Sequence, residues 1–332
     1  MKIVSSGFRG ALTQSSLLFI MNLFIYLFRR FLYAFLVIVG ATFMIFLIFN
    51  IVVGDPTVVL LGKYATPQAM AALSEELGLN RPWYIQYWDV LKSAFTFDFG
   101  YSWNSKQNIL KIFQEGGLIS LTVTFPAFII GNALVISVAL WMTKYRATLW
   151  DRLLVTFCIV MTSISALVYI LIGQGVFAYQ LGLFPITGYD NGFINCIPYI
   201  VLPTIIKVLL HFCYQYRFYR TIMLDEIYQD YVRTARAKGL QEQVVLFKHI
   251  LKNVMIPIIT SLVKDMPSLI FGSVLIENFF GIPGLGNVVI NAINCCDFPT
   301  IKAATIVSAV LSVLFNILGD MLYTLVDPRI KL

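Results

Sequence analysis

Six runs of apolar residues, each long enough to cross a bilayer, constrain this chain more than any other feature of it. They are Phe31–Val53, Leu118–Met142, Leu153–Tyr179, Pro198–Tyr216, Ile256–Ile276 and Ala303–Val326. A helical span needs about 20 mostly apolar residues. Little remains to face water: charged residues are 12% of the 332, against roughly 25% in soluble domains. Within hydrocarbon each backbone N–H and C=O must be satisfied inside the segment, which leaves helices for runs of this kind. The expected fold class is therefore all-α, a polytopic membrane protein with six transmembrane helices.

Basic residues gather in alternate loops. Residues 1–30 hold four Lys and Arg, 143–152 three, 217–254 seven and the tail after the last span two, whereas 181–197 and 278–301 hold none. Such an excess marks the cytoplasmic side of short loops, so both termini are expected there. Residues 54–117, with five, form too long a segment to weigh in that count. The net charge of +7 thus reads as orientation; the charges flank spans rather than forming one stripe, so membrane lipid is an expected partner and nucleic acid is not. The first apolar run is too long for a signal-peptide core. Met21 is a plausible alternative start, which makes residues 1–20 a dispensable extension of a cytoplasmic segment 1–30.

The external segment 54–117 predicts a helix from Pro67 to Leu77, capped by Thr66 and stopped by Gly78. Its aromatic stretch from Trp83 to Trp88 suits a membrane–water interface or an external partner. Cys158 and Cys213 fall in spans as small apolar packing residues. Cys196, Cys295 and Cys296 fall on the external side, as free thiols or with Cys196 bridged to one of the adjacent pair. No spacing suggests a metal site.

The loop 217–254 carries the most information. Leu224, Ile227, Tyr228, Tyr231, Val232 and Ala235 recur at helical spacing and predict one apolar face. Asp225, Glu226 and Asp230 precede Arg233, Arg236 and Lys238, an order that complements the helix dipole, and Gly239 stands where a left-handed cap belongs. A helix of about 14 residues, about 21 Å long, is expected to project from the membrane. It reads either as a helix lying on anionic lipid or as a docking element whose apolar face enters a groove in a partner.

The run Tyr231-Val232-Arg233-Thr234-Ala235-Arg236-Ala237-Lys238-Gly239 resembles the signature loop of binding-protein-dependent ATP-binding-cassette importer permeases, E-A-A-x-x-x-G followed by I-x-L-P. Arg233-Thr234-Ala235 stands at its first three positions, Gly239 at the glycine and Leu251 at the leucine; His249 replaces the isoleucine and Lys252 the proline. The form is similar to that of the oligopeptide, dipeptide and nickel branch. So are Leu79-Asn80-Arg81-Pro82, Asp98-Phe99-Gly100, Ile276-Glu277 with Gly281 to Gly286, and the ending Asn316, Asp320, Tyr323 and Asp327-Pro328-Arg329. Asp98-Phe99-Gly100 and that ending also resemble a sub-branch linked to microcin-type peptide uptake.

The resemblance implies the type I importer permease fold, with a periplasmic segment 54–117, a core domain 118–326 and a cytoplasmic tail 327–332. It implies a homologous second permease, two cytoplasmic ATPase subunits and a periplasmic solute-binding protein as partners. It also implies oligopeptides or dipeptides as cargo, with nickel, glutathione or another small solute as the alternative. Tyr231, Arg233, Thr234, Ala235, Ala237 and Gly239 would form the coupling helix that fits a cleft in the ATPase.

No G-x-x-x-x-G-K-[ST] occurs, so ATP and Mg²⁺ would be bound by the partner ATPases, with no cofactor in this chain. No nucleophile–base or paired-carboxylate arrangement is visible, and an enzyme is not expected. Ionisable residues within spans are candidates for the translocation path. Lys207 and His211, four apart, share a helix face; Lys264 and Asp265 interrupt the fifth span. Each pair either lines the path or pairs with a neighbouring helix. Asp320, one turn beyond Asn316, reads as a helix–helix hydrogen-bonding group. A stand-alone secondary transporter would call for internal repeats, which this sequence lacks.

Overall fold

A computed structural model describes residues 28–49, 57, 61, 66–76, 80–190, 192 and 194–326, with only the backbone for 323–326. The expected extension 1–20, the stop at Gly78 and the ending Asp327-Pro328-Arg329 lie outside these residues. The described residues are helical with no strand; one isolated bridge joins Tyr101 to Asn108. Among the described residues five helices are long and apolar enough to cross a membrane, or six if one sharply bent pair counts as a single span. The chain divides into two compact units, one running to Thr96 and resuming at Thr305, the other Phe97–Ala304.

In the first unit, helix α1 (Phe28–Phe49) is the first span. Helix α2 (Pro67–Glu76) starts where Thr66 Oγ1 accepts from the Ala69 amide at 3.3 Å. Helix α3 (Trp83–Thr96) takes up the aromatic stretch. Its Tyr87 sets its ring edge-on against Phe43 and Phe46 and donates its hydroxyl to the Val39 carbonyl at 3.0 Å, while Trp83, Tyr84 and Trp88 stay exposed. Arg30 pairs with Asp320 on the last helix, Phe298–Val326, so Asp320 does link two helices, through a charge.

The second unit is built on α4 (Ile109–Lys144). Asn108 caps it, its Oδ1 accepting from the Leu110 and Lys111 amides at 2.9 and 3.4 Å. Its buried face includes Gly116, Gly117, Ser120, Thr124 and Gly131, which let neighbouring segments approach closely. The third expected span is not one helix. It breaks into α5 (Leu149–Ser163) and α6 (Ala166–Gly173), the latter continuing as a π-helical stretch to Gln180, with a 93° bend between them. Serine hydroxyls make the corner: Ser163 donates back to the Ile159 carbonyl at 2.8 Å, and Ser165 caps α6 at the Leu167 amide at 3.4 Å.

Helix α7 (Ile197–Ile227) is the fourth span and runs eleven residues beyond the expected end. A short helix, α8 (Asp230–Ala237), follows it. The chain then winds through Glu242–Val244 and a π-helical stretch Val245–Ile250 into α9 (Leu251–Asp265). The fifth expected span is interrupted: α10 (Pro267–Phe271) ends at Gly272, where φ is +67°, and α11 (Val274–Phe280) resumes after it. A last short helix, α12 (Leu285–Asn294), precedes the final span. Two hydrophobic clusters fill the unit, one around Tyr216, Tyr219 and Ile250 and one around Ile170, Phe280 and Ile282. No disulfide joins any of the five cysteines; Cys196 is buried and Cys295 exposed.

Candidate functional site: the loop helix and the polar face beside it

The expected 14-residue rod does not form. The chain leaves α7 at Tyr228, and Gln229 adopts an extended backbone (ψ 149°) before α8 begins. Physical reason favours the turn. A straight helix would carry Val232 about 7.5 Å and Ala235 about 12 Å past Ile227, stranding an apolar stripe in water. Turning at Tyr228 and Gln229 returns both to the core that Ile227 occupies, against Val245, Leu246 and Ile250. Val232 is fully buried and Ala235 is 4% exposed. Val232 and Ala235 are therefore spent within this chain, whereas Tyr228 of the same expected face stays exposed.

The other face is open. Arg233, Thr234, Ala237, Lys238 and Gly239 are exposed, a surface of small residues with two cations. Tyr231 is half-buried and donates its hydroxyl to Glu226; burial first, and that carboxylate second, push its phenol up to about 12. Gly239 has φ +76°, its N–H reaching the Arg236 carbonyl at 2.9 Å and the Leu240 N–H reaching the Ala235 carbonyl at 3.4 Å. That paired closure is a Schellman motif, and its left-handed position favours glycine. Arg236 then clamps Glu242 across the turn with two hydrogen bonds, 2.7 and 3.1 Å.

Sequence reasoning missed the joint that holds this assembly to the spans. Asp151, in the first turn of α5 and 1% exposed, receives Nε and Nη2 of Arg220 on α7 at 2.6 Å each, and the Ala147 amide at 3.2 Å. Next to it Arg146 lies over the Tyr228 ring, 5.0 Å from its centre. Two loops that count only as basic in the sequence are here locked to each other. An acid opening one apolar run and an arginine closing the next was the available signal.

The intramembrane candidates are sorted differently from their sequence pairing. His211 Nε2 donates to Asn132 on α4 at 3.1 Å, and Gly131 lies close enough that a Cβ there would sit 3.0 Å from the imidazole. One turn on, Gln215 Nε2 donates to Ser261 and to Asp265, both at 2.9 Å. Lys207, His211 and Gln215, spaced by four, thus form one polar seam, and Asp265 lies within electrostatic reach of both Lys207 and His211. Lys264 leaves that seam. It points to the surface, into a groove of about 650 Å³ between α7 and α9 shared with Arg217, Thr221, Thr260 and Ser261. Adjacent helical residues differ by about 100° in direction, so Lys264 and Asp265 do not act as a pair.

At the opposite end of the unit Glu277 is 1% exposed. Its Oε1 accepts from the Ser273 amide at 3.2 Å and its Oε2 from the Gly286 amide at 2.8 Å, while Ser120 Oγ accepts from the Leu285 amide at 2.8 Å. A Cβ on Gly286 would meet the Val274 backbone at 2.8 Å. The run Gly281 to Gly286 is thus a turn wrapped on a buried carboxylate.

The two halves of the chain match family models for the membrane components of binding-protein-dependent transport systems: residues 23–122 the N-terminal model and 136–332 the inner membrane component itself. A dipeptide transport system permease of Alkalihalophilus pseudofirmus is 32% identical over 92% of this chain and 99% of its own length. Glutathione transport system permeases of Salmonella typhimurium and of Escherichia coli K12 are each 30% identical over 87% of this chain and 92% of theirs. With its apolar helices and this match over most of its length, the chain belongs to the binding-protein-dependent transport system inner membrane component family and is a multi-pass inner-membrane protein.

Proposed function

We propose that this chain is one permease subunit of an ATP-driven importer of short peptides. A homologous second permease, two ATPase subunits in the cytoplasm and an external solute-binding protein complete the machine. The observation that carries the reading is α8. A short helix with its apolar face sunk in its own core, its end closed by a glycine and its base tied to α5 and α7 is rigid, and its outward face is made of small residues that permit close approach. Arg233, Thr234, Ala237 and Gly239 make the contact with the ATPase; Tyr231 and Ala235 anchor the helix from behind. Movement of the ATPases then passes into α7 and α9 as a rigid-body displacement. ATP and Mg²⁺ stay on the partner subunits, and both termini of this chain lie on their side of the membrane.

Peptides are favoured because the similar permeases are named for dipeptide and for glutathione, itself a small peptide. Gly239 provides the test. Its surroundings are open, with nothing within 4 Å of an added Cβ, so substitution acts through φ alone. Gly239→Val is expected to stop peptide uptake in a deletion strain while membrane insertion persists; Gly239→Asn, which tolerates the left-handed region, retains it. Uptake unchanged in Gly239→Val, or purification of the complex without any ATPase subunit, would overturn the reading.

A further inference from the structure

Two grooves open on the second unit, and they differ in kind. One, of about 580 Å³, is lined by Trp141, Met142, Tyr145, Trp150, Leu153, Leu154 and Phe157 and suits acyl chains. The other, between α7 and α9, carries Arg217 and Lys264 with the hydroxyls of Thr221, Thr260 and Ser261. Both helices belong to membrane spans, Ile197–Ile227 and Glu242–Phe280. A cation turned to acyl chains within a span costs about 2.5–3.5 kcal/mol, and Lys264 stands inside its span while Arg217 opens the loop 217–254. The groove faces water or protein.

Its charge is not balanced from within. Among the described residues neither Arg217 nor Lys264 forms an ion pair, and the adjacent acid, Asp265, is drawn back to Gln215 at 2.9 Å. The groove is a cationic station, walled also by Tyr214, Phe218 and Pro257, along the helices that α8 would move. We infer that Lys264, with Arg217, holds the free C-terminal carboxylate of a short peptide in transit, so that the path selects carboxylate-terminated cargo. This rests on the peptide-permease reading above. Ammonium and guanidinium groups recognise a carboxylate through charge-assisted hydrogen bonds.

The test uses the whole complex in proteoliposomes with its binding protein. The cargo is a pool of di- and tripeptides with free C-termini, against the same pool C-terminally amidated, each rate normalised to occupancy of the binding protein. Lys264→Gln is expected to slow uptake of the free-acid pool by roughly ten-fold or more, the loss of one charge-assisted hydrogen bond. Amidated uptake should be unaffected, and Lys264→Arg should restore the free-acid rate. Equal slowing of both pools, or no change in either, overturns the inference. Lys264→Cys separates the two levels of failure. Alkylation by a membrane-impermeant thiol reagent, above the parent's background and blocked by cargo, supports a wet path even where terminal charge proves irrelevant. Absence of alkylation throughout turnover removes the path and the inference together. Accumulation of neither pool by the unsubstituted complex removes the peptide reading, and the inference with it.

Discussion

The two ends of the second unit hold their acids by opposite means. At the end bearing α8, Asp151 is met by Arg220 and Glu242 by Arg236. At the other end, Glu277 is held by the Ser273 and Gly286 amides, and Asp297 by the Trp103 amide with the Ser102 and Thr300 hydroxyls. The difference follows from where the cations are. The α8 end contains the Lys- and Arg-rich loops, whereas 181–197 and 278–301 contain neither residue. Lys207 comes within electrostatic reach of Glu277 but forms no ion pair with it among the described residues. A carboxylate at that end has to be satisfied by N–H and O–H donors. Backbone donors reach it only where the chain passes without side chains, which accounts for the glycines at 272, 284 and 286. Charge asymmetry across the membrane thus dictates two grammars of stitching.

Removing Asp151 is expected to have the largest effect. Its loss leaves the Arg220 guanidinium, only 24% exposed, without its counter-charge. Breaking a buried pair from one side costs about 3–5 kcal/mol. Asp151→Ala is therefore expected to lower the midpoint of chemical unfolding in detergent further than either Glu277→Gln or Arg236→Ala. Because the pair is worth little against apolar replacements of similar size, Asp151→Leu with Arg220→Met should recover most of the loss. If Asp151→Ala alone is silent, the α8 end is not held together by charge.

Glu277→Gln addresses the other end. The carboxamide keeps the shape but replaces one acceptor with a donor, so either the Ser273 or the Gly286 amide loses its partner. An unsatisfied buried donor costs about 1–3 kcal/mol. The expected signature is local: faster hydrogen exchange at Gly286 and Leu285, with protection around α8 unchanged. Loss of protection at both ends would mean the two clusters behave as one body and would remove the contrast.

Much of this was legible in the residues. Apolar length marks where the spans lie, though the third is bent and the fifth interrupted. Asp230, Arg236 and Gly239 mark a capped helix in the 217–254 loop, while Asp225 and Glu226 belong to the end of α7. What was not legible depends on partners distant in sequence. Asp151 and Arg220 are 69 positions apart, and each looks like an ordinary flanking charge until α5 and α7 lie side by side. The turn at Tyr228 and Gln229 escapes periodicity because Ile227, Val232 and Ala235 do keep helical spacing. The chain bends because all three seek one core, a tertiary demand. The same holds for Lys264 and Asp265, adjacent in sequence yet divided by the helical step between the polar seam and the open groove beside it.

The smallest effect is expected at Arg236, and it sharpens the comparison by limiting it. The Arg236–Glu242 pair has good two-point geometry, but its side chains are 32% and 36% exposed. Pairs so placed contribute at most about 1 kcal/mol and are screened by salt. Arg236→Ala should therefore shift unfolding within about 1 kcal/mol of the parent, and less as salt is raised. Its effect should show instead in coupling, because the pair fixes the direction in which the chain leaves Gly239. ATPase activity in the reconstituted complex would persist while peptide moved per ATP falls. If unfolding shifts as far as in Asp151→Ala, solvent does not weaken the outer pair, and the distinction between a locked base and a screened tip of the α8 end is lost.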